Sequence, residues 1–150
     1  WAIRYNDSNY FNLSYSDTSS YGIIFVKFDI EGRYCAVVMD KESPFIKTNF
    51  YGLGLQGVLM NESGKWHKKW EDKNGVKKTI LIIDTVIDNP NFHSSSSKIL
   101  NAKRLKKLIR KNKLQIDTKT LKELSFEEVM DIIKLTNTKN KKLSINKQNQ

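Results

Sequence analysis

One cysteine, Cys35, occurs among 150 residues, so neither an internal disulfide nor a thiolate zinc cluster can be built within the chain. Cys35 lies in an apolar run, which points to a core position rather than a nucleophile. Histidine is nearly as scarce. His67 and His93 are the only two, no dense cluster of His, Asp and Glu has metal-ligand spacing, and no metal centre is expected. There is no nucleophile elbow and no dinucleotide fingerprint, and Gly52-Leu53-Gly54-Leu55-Gln56-Gly57 lacks the basic ending and helix context of a phosphate loop. No cofactor is expected. Long apolar runs are missing too. The longest, Tyr21–Val26 and Thr79–Ile83, fall far short of the roughly 20 residues that span a bilayer, and no signal-peptide pattern opens the chain. The expectation is a soluble, cytoplasmic protein with no membrane partner.

What is present is a globular composition, 39% hydrophobic and 28% charged, with a net charge of +10 that is unevenly placed. Residues 1–95 hold eleven basic and eleven acidic side chains; residues 96–150 hold fifteen and five. The whole excess lies at the C-terminal end, where a segregated basic segment attracts polyanions. A solvated basic face that merely aids solubility is the plain alternative.

Strand signals dominate the first part. Tyr21–Ile30 and Arg33–Asp40 are rich in β-branched and aromatic residues and read as a hairpin around Ile30-Glu31-Gly32-Arg33. Two more candidate strands, Phe50–Met60 and Val76–Ile87, are set off by the turn signals Asn61–Gly64 and Asp72–Gly75. After Asn89-Pro90 and Ser94–Ser97 the period becomes helical. Leu105, Leu108 and Ile109 fall on one stripe, and Lys103, Arg104, Lys106, Lys107, Arg110 and Lys111 cover the remainder. A second helix is announced by Ser125 and Glu128 as a capping box, with Leu124 and Val129 as its staple. The fold class expected is α+β: a small curved antiparallel sheet or barrel followed by basic helices. Residues 1–135 would be one domain, strand-rich over 1–90 and helical over 96–135, and 136–150 a flexible basic tail.

Two stretches could carry chemistry. Asp40–Thr48 gathers Lys41, Ser43, Lys47 and Thr48 at a strand end, a set suited to phosphate contact. Lys65-Trp66-His67-Lys68-Lys69-Trp70 alternates cations with aromatic faces, as single-stranded nucleic acid wants, since lysines neutralise phosphates and rings stack on unpaired bases. A hairpin edge with tryptophans packed inward explains that stretch equally well.

The order of these features resembles the type III toxin–antitoxin endoribonucleases, the ToxN, AbiQ, TenpN and CptN group. The likeness is carried by Tyr5, Tyr10, Phe11 and Tyr15 ahead of the hairpin, by Ile30-Glu31-Gly32 and Arg33–Val38, by the Ser43-Pro44 loop with its lysines, and by Lys77–Ile87 before the basic helices. It implies a MazF-like (SH3-like) barrel and a metal-independent ribonuclease with a role in phage defence, held inactive by a structured repeat RNA in a protein–RNA hetero-oligomer. The RNA's own 2′-hydroxyl would be the nucleophile. Such a reaction needs help with that hydroxyl proton, a donor to the leaving oxygen, and cations for the charge growing on phosphorus. On the family pattern Ser43, Lys41, Lys47 and Thr48 would be catalytic, with His67 assisting proton transfer. Lys65-Trp66-His67 follows Ser43-Pro44 by some twenty residues, whereas the family has lysine, tryptophan and histidine directly after it. Lys65, Trp66, Lys68, Lys69 and the cations of the first helix would grip RNA. Two other readings stand beside this: a nucleic-acid-binding regulator without chemistry, and a metal-dependent nuclease using Asp40, Glu42 and Asp84.

Overall fold

A computed structural model describes residues 2–12, 25–39, 70–86 and 97–148. Among these residues seven strands and two helices follow one another: β1 (Ala2–Tyr5), β2 (Ser8–Asn12), β3 (Phe25–Lys27), β4 (Tyr34–Met39), β5 (Trp70–Glu71), β6 (Lys77–Asp84), β7 (Ser97–Ile99), α1 (Ala102–Lys111) and α2 (Phe126–Gln148). The class is α+β, and every strand pair is antiparallel. The strands form two open sheets rather than a barrel among the described residues. One runs β1-β2-β3; in the other, β6 has β4 on one side and β5, then β7, along its far edge.

The arrangement has three layers, and β4 shows why. Successive side chains of a strand face opposite ways. Tyr34, Ala36 and Val38 therefore point toward Leu105, Leu108, Ile109, Val129, Ile132 and Ile133 of the helices. Cys35, Val37 and Met39 point toward Phe11, Phe28 and Val26 of the smaller sheet. With both faces covered, β4 reads as an unbroken apolar run.

The expected hairpin is corrected. The turn exists, since Ala36 N–H donates to the Ile30 carbonyl at 2.9 Å. Its first strand, however, leaves: Phe25, Val26 and Lys27 pair with Asn12, Phe11 and Tyr10 of β2. A hairpin of β1 and β2, not anticipated, provides that partner. Asn6 and Asp7 form its two-residue turn with φ of 44° and 56°, the left-handed conformation that Asn and Asp tolerate best.

The helices follow the sequence more closely. Ser125 and Glu128 bond reciprocally, Ser125 N–H to Glu128 Oε2 at 2.7 Å and Glu128 N–H to Ser125 Oγ at 3.3 Å. α1 is capped by Asn101, which accepts from Arg104 N–H at 2.9 Å. Yet α2 does not stop at Thr136, where the basic tail was expected to begin, but continues to Gln148. Thr136 is fully buried, and Asn137 and Asn140 hydrogen-bond back to the sheet and to α1. Polar residues there serve packing, a use that hydropathy does not reveal. No helix among the described residues is long and apolar enough to cross a membrane.

Candidate nucleic-acid interface

α1 is held down by Leu105, Leu108 and Ile109, all buried, which turns its other sides outward. Lys103, Arg104, Lys107, Arg110 and Lys111 are exposed and Lys106 is half-buried. Their spacing divides them. Arg104, Lys107 and Lys111, at i, i+3 and i+7, share the stripe that overhangs the sheet, and Lys103, Lys106 and Arg110 lie off it.

Beneath that first stripe is a groove of about 190 Å³ between α1 and strands β6 and β7. Its floor is apolar, from Tyr34, Ile82, Leu100 and Leu108. Its rim carries Arg104, Lys107 and Lys111 from the helix and Lys98 from β7, with Asp84 as the one carboxylate. Asp84 is already engaged: Lys111 Nζ lies 3.0 Å from Oδ2, and Arg33 Nε lies 3.5 Å from Oδ1. Asp84 raises the Lys111 pKa above its ordinary value, first by accepting its hydrogen bond, so the ammonium charge is secure at neutral pH. Arg104 donates through Nη1 to the Ile99 carbonyl, which leaves further donors of its guanidinium for a ligand. Lys98 was missed from the sequence because Ser94–Ser97 reads as a break; its signal was the Lys98-Ile99-Leu100 alternation just beyond.

The other anticipated residues divide differently. Ser43, Lys41, Lys47, Thr48, Lys65, Trp66, His67, Lys68 and Lys69 lie outside the described residues, as do Asp40, Glu42 and the candidate strand Phe50–Met60. Their span is nevertheless bracketed. Met39 pairs with Thr79 and Trp70 with Lys78, on opposite sides of β6, so the chain leaves and re-enters the sheet at one end of that strand. Trp70 itself is fully buried in the core shared with the helices, so it presents no face to a nucleic-acid base. Among the described residues, no three His, Cys, Asp or Glu side chains come together in a way that could hold a metal ion.

Two titratable groups near the sheet have structural uses. Cys35 is 6% exposed and its thiol pKa is pushed up chiefly by burial, the opposite of what a nucleophile needs. Asp29 accepts from Val38 N–H at 2.7 Å, and partial desolvation of its carboxyl against the sheet raises its pKa above the ordinary value, although the residue as a whole is exposed. Comparisons with protein-family models, curated proteins and solved structures found no match.

Proposed function

We propose that this protein is an endoribonuclease toxin restrained by a folded repeat RNA, with catalysis in the span 40–69 and RNA held by α1. The observation that carries the reading is the cationic surface of α1, set against the Lys98 rim of the sheet and only sparsely countered by acid. Phosphate contact by Lys and Arg supplies most of the sequence-independent affinity for RNA. The bracketing of residues 40–69 by Met39 and Trp70 supports the division of labour, because both flank the Lys78–Thr79 end of β6, whereas Ile82 and Asp84 toward its other end line the groove under α1. In the proposed reaction the 2′-oxygen attacks phosphorus, the 5′-oxygen leaves, and a 2′,3′-cyclic phosphate remains. Lys41 and Lys47 neutralise the phosphorane, Ser43 and Thr48 donate to its oxygens, and His67 moves a proton. Kinship with the MazF-like barrels belongs to the same proposal.

The test is incubation of the purified protein with single-stranded RNA in EDTA, followed by mapping of the ends. Cyclic termini that disappear in Ser43→Ala or Lys47→Ala are expected. The same cationic face also favours a nucleic-acid-binding regulator without chemistry. Intact RNA, bound with a steep salt dependence, would establish that second reading in place of the first.

A further inference from the structure

The groove beneath α1 is more specific than a basic surface has to be. A helix that only lies along a phosphate backbone needs cations on its outer ridge. Here Lys98 projects from β7 to face cations from α1 across a floor built on the side chains of Tyr34, Ile82, Leu100 and Leu108. Phosphate binds a cationic rim, whereas a ribose or a base gains by covering the half-buried Ile82 and the aliphatic stems of Lys98 and Lys107, with Leu100 and Leu108 already buried beneath them. The two ends also differ. Arg104 stands at the end where Leu100 N–H bonds the Ile80 carbonyl at 2.8 Å, and Lys111 at the end held by Asp84. From residue 104 to 111 a helix advances about 10 Å, the reach of one nucleotide rather than of an extended strand. Asp84 repels a second phosphate at its end, and its carboxylate retains lone pairs to accept from a hydroxyl.

The geometry points to a pocket for one nucleotide unit, its phosphate among Lys98, Arg104 and Lys107, its sugar and base over Ile82 and the lysine stems above the buried Leu100 and Leu108, and a hydroxyl toward Asp84. This rests on the reading of α1 as an RNA surface, and it adds that the surface holds one unit of the strand in a cup. Charge alone does not suffice for such a pocket, so inorganic phosphate should be a poor substitute.

The experiment is a titration of the full chain, followed by amide NMR, with adenosine 5′-monophosphate, inorganic phosphate and adenosine in separate arms. Saturating shifts at Lys98, Leu100 and Leu108 are expected with the monophosphate, with phosphate at least tenfold weaker and adenosine weaker still. Equal binding of phosphate and the monophosphate would overturn the pocket, as would shifts spread evenly over Lys103 and Arg110. Lys98→Glu with Lys107→Glu should abolish the shifts; Lys119→Glu with Lys122→Glu, the same change in charge at exposed lysines away from the groove, should leave them within about threefold. Lys98→Gln with Lys107→Gln repeats the test more gently, with circular dichroism to verify the fold. A short single-stranded RNA must displace the monophosphate; if it does not, the ligand is a free nucleotide and the assignment to RNA is wrong. Cleavage is read separately. Loss of cyclic ends with the pocket intact would defeat the ribonuclease reading alone, and cleavage without monophosphate binding would defeat this inference alone.

Discussion

The side-chain amide of Asn137 bonds both backbone groups of Tyr34, accepting from its N–H at 2.9 Å and donating to its carbonyl at 2.9 Å. One residue of α2 thus stands in for a strand that β4 lacks along its free edge. Two neighbours complete the cover: Ile30 bonds both backbone groups of Ala36, and the Asp29 carboxylate takes Val38 N–H. Exposed edges invite pairing with other chains, and these three devices close this one without a strand.

Asn137→Ala should therefore cost about 2 kcal/mol or more, because two partly buried backbone groups lose their partner. Asn137→Asp, nearly the same shape, should cost a similar amount, since a carboxylate cannot donate to the Tyr34 carbonyl. Urea denaturation measures both; a loss below about 0.5 kcal/mol in each would show that water replaces the amide without penalty.

Gly32 meets the same amide. A Cβ there would sit 2.6 Å from Asn137 Cγ, and its φ of 148° disfavours any L side chain. Gly32→Ala should lower the midpoint of thermal unfolding, and Asn137→Ala in the same chain should relieve part of the loss. Strict additivity in that double-mutant cycle would mean that backbone strain alone is responsible.

Neutralising Lys103, Arg104, Lys107 and Arg110 to glutamine should weaken RNA binding and reduce its logarithmic salt slope by up to about 3, at roughly 0.7 per contact with a single strand. Cleavage of a short unstructured RNA should change by less than about twofold. Comparable losses in binding and cleavage would place the two on one surface.

The carboxylates should titrate in a set order. Asp72 accepts from Val76 N–H and from Asn74 N–H, each at 2.9 Å, and the Val76 bond is the main cause that holds its pKa below the ordinary value. Its contribution to stability is present above the unfolded value of about 3.9 and lost as pH falls through the folded one. Asp29 behaves oppositely: partial desolvation raises its pKa, so its contribution is present below the unfolded value and lost as pH rises through the folded one. Carboxyl-carbon NMR should find Asp72 titrating below Asp29, and Asp72→Asn should flatten the acid limb of the stability curve. The reverse order would refute both assignments.

Where a local signal was strong, the sequence was sufficient. Ser125 and Glu128 marked the start of α2 because the capping box is made of adjacent backbone and two side chains, with nothing distant required. The buried stripe Leu105, Leu108 and Ile109 was legible for the same reason. The hairpin failed because partner choice is a tertiary matter: Phe25–Lys27 has a turn to β4 yet finds its ladder on β2. The extent of α2 was hidden by Thr136, Asn137 and Asn140, polar residues whose roles depend on what faces them. At the interface, α1's cations were visible, but their division by a groove was not, because Lys98 joins them only once β7 pairs with β6.

Met39 and Trp70 also fix where the segment between them begins and ends. Strands about 4.8 Å apart place these two residues roughly 10 Å from each other across β6, so the sheet acts as a clamp on both ends of residues 40–69. Thr79 and Lys78 stand side by side on β6, one facing Met39 and the other Trp70, so a substitution that shifts this end of β6 moves both ends of the span proposed to carry the chemistry at once, as a single hinge pin holds both leaves of a door.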